Sequence, residues 1–350
     1  MGDLAVTAVA SPPRLRVPGF VAASAVALAA ALAGALVGPA GLTSRGVLAE
    51  LVDALPLVSV DSGLTPTQQA ILWQIRLPRV VLGALVGATL ASAGAAYQGA
   101  FRNPLADPYL LGVSSGAGLG ATLGIVSGGS LGPFDIPLLA FGGGLLGVAA
   151  TYVLGSSVGG EGGAVAIVLA GVAVAAFFNA LQSFVQQRYD DSLLAVYSWM
   201  MGRLSTDGWS DVLLVLPYVL VSCGVILLHR RALDVLAVGD VEAASLGIDP
   251  ARVRLVLVLA ATLGTAAVVS VSGLIGFVGV VVPHAVRLLF GASHRTLVPM
   301  ALLLGAAFVV LSDIAARSAL APAEVPIGVV TAVVGAPFFL VVLRRNRAAA

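Results

Sequence analysis

Apolar runs of about 18–25 residues recur from one end of this chain to the other. A helix needs about 20 such residues to cross a hydrocarbon core about 30 Å thick. Lipid offers the backbone no hydrogen-bond partners, so only helices and closed barrels can span it. The alternating segments of about ten residues that mark barrel strands are absent, which leaves helices. With 59% of residues hydrophobic and only 10% charged, no water-soluble domain fits. The 42 glycines and many alanines suit close helix–helix contact in lipid. The fold class is therefore an all-α polytopic membrane protein, with residues 1–350 read as one domain. Ten spans are expected, near 18–41, 79–98, 108–127, 137–155, 163–187, 212–229, 252–271, 274–290, 298–317 and 327–343. The first follows Arg14 and Arg16 in the manner of a signal peptide, but its apolar run exceeds a signal core and is read as retained.

Arginine placement orients the chain. With a cytoplasmic N-terminus, twelve arginines fall inside and six outside, which puts both termini in the cytoplasm. The longest outer segment, 42–78, contains SRGVLAELVDALPLV and reads as a helix lying on the outer surface. The chain contains no lysine, and a P-loop needs one to hold nucleotide phosphates. Any ATP used must therefore be bound by another polypeptide. A net charge of +1 implies no nucleic-acid partner. The single cysteine, Cys223, cannot form an internal disulfide, and the three histidines lack metal-site spacing, so neither a metal nor a bound cofactor is expected.

One charged stretch, GDVEAASLGIDPARVR (239–254), interrupts the apolar pattern. Asp240 is expected to cap a helix beginning at Val241, and Gly247 to end it in a left-handed conformation. Asp249 then caps a second helix with Pro250 at its first position. A plain connector needs no such double capping. Ala243, Ala244 and Ser245 leave the short helix small enough to fit a groove, so a docking element and a simple linker stand side by side. Prolines in NPLADP and VVVPHAVR point to interrupted helices, tolerated only where protein or water replaces lipid. The stretches after Arg79 and Arg254 each run to a small–Gly pair, Ala93–Gly94 and Ser272–Gly273, which hints at a duplicated half.

Arg76 and Arg79 lie three apart on one helical face at the outer edge. They either anchor the interface by snorkelling or form a basic rim. Arg317 lies four residues after Asp313, close enough for a local ion pair. Asn179, Gln182 and Gln186 form one polar stripe on the fifth span. They either line a pathway or bond neighbouring helices. His284, beside Pro283, is read as bonded to freed carbonyls rather than as a haem ligand.

Several separate motifs carry a resemblance that covers nearly the whole chain from Arg76 onward. They are RLPR (76–79), QGAFRNPLADPYLLGVSSGAG (98–118), VGDVEAASLGI (238–248), GLIGFVGVVVPHAVR (273–287), SDIAAR (312–317) and AEVPIGVVTAVVGAPFF (323–339). In this order they resemble the permease subunits of type II ABC importers, the group that carries ferric siderophores, haem and vitamin B12. Ala285 departs mildly, where the family often has a larger apolar residue. The resemblance implies a second permease subunit, identical or paralogous, two ATPase subunits holding ATP–Mg, and an extracytoplasmic substrate-binding protein, all at a bacterial cytoplasmic (inner) membrane. It further implies that Asp240, Val241, Glu242, Ala243, Ala244, Ser245, Leu246 and Gly247, within a loop of about 231–253, couple to the ATPase. Arg76, Arg79 and Arg317 would face outward and dock the binding protein, and the stripe at Asn179, Gln182 and Gln186 would line the pathway. The chain itself would not be an enzyme. A secondary transporter driven by an ion gradient is the rival, and it would want a buried unpaired acid.

Overall fold

The computed structural model describes residues 17–55, 59–128, 134–157, 163–205 and 208–347. Helices are α1 (Val17–Leu36), α2 (Ser44–Asp53), α3 (Pro66–Ala70), α4 (Leu77–Ala100), α5 (Val113–Val126), α6 (Asp135–Ser157), α7 (Gly163–Arg188) and α8 (Leu193–Met200). There follow α9 (Trp209–Leu228), α10 (Arg230–Leu236), α11 (Asp240–Ser245), α12 (Pro250–Ser272), α13 (Val278–Phe290), α14 (His294–Ser318) and α15 (Ile327–Arg347). Among the described residues, seven helices are long and apolar enough to cross a membrane. Three shorter apolar ones, Val113–Val126, Val278–Phe290 and Ile327–Val342, complete the ten expected segments.

The centre of the bundle is α4 and α12. In each, 78% of the apolar window is buried, against 22% for α1. Lipid supplies no hydrophobic drive between helices, so small residues that admit backbone contact decide which helices pair. Helices α4 and α14 run antiparallel through Gly87 and Gly305, where a Cβ on Gly87 would lie only 2.1 Å from the Gly305 carbonyl oxygen. Helices α5 and α6 meet along Gly116 and Gly120 of α5 and Gly143 of α6. A Cβ on Gly116 would lie 2.1 Å from the Gly143 oxygen, and one on Gly120 would lie 2.0 Å from the Leu139 oxygen.

Two non-helical interruptions separate apolar helices. After α4, residues 101–107 leave the helix and a 3₁₀ turn, Pro108–Leu111, leads into α5. After α12, residues 273–277 are not helical, with Gly273 at φ 66 and Phe277 at φ 68. The freed backbone finds protein partners, as lipid requires. The Tyr109 hydroxyl donates to the Ile275 carbonyl at 3.2 Å and accepts from the Ile275 N–H at 3.2 Å. Arg203 N–H donates to the Ser272 carbonyl at 2.7 Å, and Gln98 Nε2 to the Gly279 carbonyl at 2.9 Å. Spans three and eight are therefore shorter than expected, because these stretches are apolar in sequence but not helical in structure. The two small–Gly pairs are also not equivalent. Gly94 lies mid-helix against Gly279, whereas Gly273, at φ +66, terminates α12.

In the outer segment, the helix expected at SRGVLAELVDALPLV forms as α2, and further structure follows it. Residues 56–58 fall outside the described residues, and Thr65 opens α3 with a complete capping box to Gln68. A π-helical turn, Ile71–Arg76, then joins α3 to α4, so the helix runs unbroken over Pro66–Ala100. The Trp73 carbonyl in this turn accepts Trp209 Nε1 at 2.9 Å, tying it to the start of α9. Glu50 of α2 gathers the same region, accepting from Ser62 Oγ at 2.6 Å, Gln69 Nε2 at 3.0 Å and Trp73 Nε1 at 3.1 Å. The Ser62 bond, with those from Trp73 and Gln69, holds the Glu50 carboxyl below the usual carboxylate range.

The α5–α6 seam is expected to fail on adding side-chain volume, because its neighbours are backbone and cannot rotate away. Gly116→Val should cost at least the roughly 1–3 kcal/mol of ordinary overpacking. Gly142→Val, on the same helix pair but with nothing within 4 Å of its Cβ position, should be tolerated. Thermal unfolding in detergent would measure both. Equal melting temperatures would contradict this account of the seam.

Candidate functional site

Charged side chains gather at the two ends of α4 and α14. On the side assigned as outer, the start of α4 meets the end of α14 and the end of α1. The last carbonyls of α1 have no helical partners and carry the negative end of its dipole. Two arginines satisfy them. Arg76 Nη1 donates to the Ala35 and Leu36 carbonyls at 3.0 and 3.4 Å, and Arg317 Nη2 donates to the Gly34 carbonyl at 2.8 Å. Both arginines are buried. This corrects the expectation that Arg76 and Arg317 face outward: they cap a helix end, and a guanidinium with five donors suits that work. Arg317 Nε also lies 3.3 Å from Asp313 Oδ2, the expected i,i+4 pair, though not aligned as a hydrogen bond.

Arg79 is the member nearest the surface, and it too has partners. Its Nε and Nη2 grip Asp313 at 2.9 and 2.8 Å, while Nη1 and Nη2 reach Glu324 at 2.9 Å each. Asp313 is buried, whereas the Glu324 side chain, on the loop between α14 and α15, is 45% exposed. The Arg79 hydrogen bonds hold the Glu324 carboxyl below the usual range, against the opposing effect of burial. A depressed carboxyl contributes stability above its unfolded pKa and loses it as pH falls through the folded value. The bridge therefore stands at neutral pH and opens only below the ordinary carboxylate pKa of about 4.3. Next to the cluster lies a polar cavity of about 220 Å³, lined by Arg79, Asp313, Glu324, Arg203, Ser198 and Ser205. Glu324 was not singled out from sequence, because nothing in its spacing links it to Arg79, 245 positions earlier.

At the cytoplasmic end the charged stretch forms α11 followed by α12. Gly247 has φ +81, with its N–H bonded to the Ala244 carbonyl at 3.0 Å and the Ile248 N–H to the Ala243 carbonyl at 3.1 Å. That pair of bonds is a Schellman ending. Asp249 caps α12 as expected, accepting from the Ala251 and Arg252 N–H groups at 3.0 and 3.1 Å, with Pro250 at the first position. Asp240 does not cap α11. Gly239 holds the cap position, and Asp240 is the first helical residue. Its carboxylate instead accepts from Arg254 Nη2 at 3.1 Å and lies 3.6 Å from Arg102. Arg254 Nε in turn donates to the Ala100 carbonyl, at the end of α4, at 2.9 Å. One guanidinium thus joins α11, α12 and α4. Ala243 faces inward, while Val241, Glu242, Ala244, Ser245 and Leu246 are exposed.

A second tie lies beside it. Asp234 of α10 accepts from the backbone N–H of His294, its ring Nδ1 at 3.0 Å and Ser293 Oγ at 2.9 Å, so it caps α14 from another helix. Burial pushes the Asp234 carboxyl up, but these donors outweigh it and hold it below its ordinary value.

The polar stripe on α7 divides. Gln182 is buried, with Nε2 donating to Thr122 Oγ1 at 3.1 Å and to Met200 Sδ at 3.2 Å, so it bonds helices together. Asn179 is exposed and Gln186 half-buried. The pathway expectation for Gln182 is therefore corrected. The His284 ring sits edge-on to Phe338, 6.0 Å between centroids. No cluster of three metal-ligating side chains occurs among the described residues. Asp107 lies in the first interruption, just before the 3₁₀ turn. Its Oδ1 accepts the Tyr109 N–H at 2.8 Å and caps the 3₁₀ turn.

The α11 geometry sets a discriminating test. A Cβ at Gly247 would meet nothing within 4 Å, so only backbone conformation opposes a substitution. Asn tolerates the left-handed region and Val does not. ATP-driven uptake into vesicles should survive Gly247→Asn and fall several-fold in Gly247→Val. Equal uptake by both would show that the ending carries no role.

Residues 25–345 match the FecCD transport family. The chain is 39% identical to the cobalamin import system permease of Halobacterium salinarum over 92% of its own length and 95% of that protein. It is 42% identical to the hemin transport system permease of Yersinia pestis over 78% of its length and 83% of that protein. Its structure superposes with a TM-score of 0.80, at 30% identity, on a solved ABC transporter chain in an inward-facing conformation, assigned to the metal-chelate type; the match covers 93% of this chain and 98% of that one. These similarities displace the ion-driven carrier, and ATP hydrolysis falls to a separate subunit. The chain belongs to the FecCD transport family, and is a multi-pass permease of an ABC importer with the type II fold.

Proposed function

We propose that this permease carries a bulky metal chelate, a ferric siderophore first and haem or cobalamin next, across a bacterial cytoplasmic membrane. It receives the cargo from an extracytoplasmic substrate-binding protein, pairs with a second permease, identical or paralogous, and stands on two ATPase subunits that hold ATP–Mg. The chain itself binds no cofactor. Hemin and cobalamin permeases among its relatives support the cargo class.

The observation that carries the coupling role is α11. It is short, ended by a Schellman turn, and tied through Asp240 and Arg254 to both α12 and α4. Its exposed Val241 and Leu246 offer an apolar contact to a cleft on the ATPase, while Glu242, Ala244 and Ser245 keep the helix narrow. A push on α11 therefore reaches two central helices instead of bending the loop. On the outer side, Arg79 is the docking contact, with Arg76 and Arg317 holding the end of α1 behind it. The exposed face of α7 carries Asn179 and Gln186 toward the pathway.

Two measurements test this reading. Uptake of labelled ferric siderophore, haem and cobalamin would be compared in a deletion strain carrying the gene. Transport of none of the three would overturn the cargo class. Single cysteines at Asn179, Gln182 and Gln186, made after replacing Cys223, would be exposed to an impermeant thiol reagent. Labelling is expected at 179 and 186 and not at 182. Uniform protection would remove α7 from the pathway.

A further inference from the structure

The docking reading leaves Arg79 with a difficulty. Its guanidinium has five donor hydrogens, and two carboxylates already take bonds from all three of its nitrogens. Those bonds use four of the five hydrogens and leave one on Nη1, so an arriving carboxylate that binds through both oxygens must replace one of the two already there. Asp313 cannot leave, since its side chain is 3% exposed and also faces Arg317. Glu324 can leave: its side chain is 45% exposed and borders the 220 Å³ polar cavity beside Arg79. Its backbone neighbourhood is pinned by the Val325 N–H to the Ala316 carbonyl at 2.9 Å and the Ala323 N–H to the Leu320 carbonyl at 3.0 Å. Only the side chain needs to move.

We propose that Glu324 is an internal stand-in for the binding protein's carboxylate, occupying Arg79 in the undocked permease and giving it up when docking completes. This rests on the assignment of Arg79 as a docking residue. Exchange of one carboxylate for another keeps the guanidinium paired throughout, so Arg79 is held in its two-armed geometry by Asp313 and is never left bare. The exchange also selects the partner. A diffuse acidic surface cannot displace a two-armed contact, whereas a carboxylate aimed with the same fork geometry can. Because only the unlatched fraction of the permease is competent, the latch lowers apparent affinity by that fraction. An exposed ion pair of ordinary strength makes the reduction about two- to fivefold.

The test needs one partner-free readout and one docking readout on the full-length, detergent-solubilised permease. Phenylglyoxal modifies accessible guanidinium groups, and peptide mass spectrometry reads the rate at Arg79. Glu324→Gln, which keeps the shape and removes the charge, is expected to speed modification of Arg79. It is also expected to tighten docking of the purified substrate-binding protein encoded with this transporter by about two- to fivefold. In an Arg79→Lys background, which keeps a charge beside buried Asp313 but loses the fork, Glu324→Gln should no longer tighten docking. Melting temperatures report whether each variant folds. An unchanged modification rate in Glu324→Gln overturns the latch. Equal tightening in both backgrounds overturns it too, since Glu324 would then act only by general repulsion. If Arg79→Lys docks like the unsubstituted protein while modification still accelerates in Glu324→Gln, the docking role of Arg79 fails, and the exchange falls with it.

Discussion

A backbone N–H or carbonyl left unpaired in hydrocarbon costs several kcal/mol, and no water is there to relieve it. Most of this structure follows from that constraint. It turns each apolar run into a helix, and it dictates what happens wherever a helix stops. The end of α1 is closed by guanidinium groups from two other helices. The start of α14 is closed by Asp234 from α10. The non-helical residues after α12 are served by the Tyr109 hydroxyl, which both donates and accepts. Each of these caps is made across the bundle, so each also fixes one element against another.

The same constraint joins structure to transport. Helices α4 and α14 lie backbone to backbone through Gly87 and Gly305, and each ends in a charged cluster. At one end Asp313 of α14 holds Arg79 of α4. At the other, Arg254 holds the last carbonyl of α4 and Asp234 holds the first residues of α14. A displacement of α11 therefore acts through Arg254 on α4, the helix that carries Arg79 of the outer cluster. At Gly87 and Gly305 the two backbones touch directly, and a close-packed contact of that kind transmits movement.

Charge placement explains why the outer arginines differ in role despite adjacent positions. Arg76 and Arg79 are three residues apart, but the π-helical turn Ile71–Arg76 ends between them. That turn aims Arg76 at the C-terminus of α1 and leaves Arg79 to Asp313 and Glu324. Arg317 has both choices within reach and gives its Nη2 to α1. Buried guanidinium groups at a helix C-terminus meet the negative end of the dipole, which compensates part of their desolvation.

The sequence by itself determined the membrane-spanning helical class, the approximate spans and the turn from Gly247 to Asp249 that ends α11 and opens α12. Each of these rests on local chemistry: run length, the left-handed freedom of Gly247, and the fit of Asp249 and Pro250 to a helix start. Only the tertiary structure decided the partners. Asp240 read as a local cap, yet its carboxylate serves Arg254, fourteen residues on. Gln182 read as part of one polar stripe, yet a neighbour on α5 takes it inward. Glu324 fell inside one of the quoted motifs, yet nothing named its partner, because its role depends on Arg79 at the far end of the sequence. Periodicity and capping are written in neighbouring residues and can be read there. Which buried charge meets which freed backbone group depends on how helices cross, and that is set only when their glycine seams have closed.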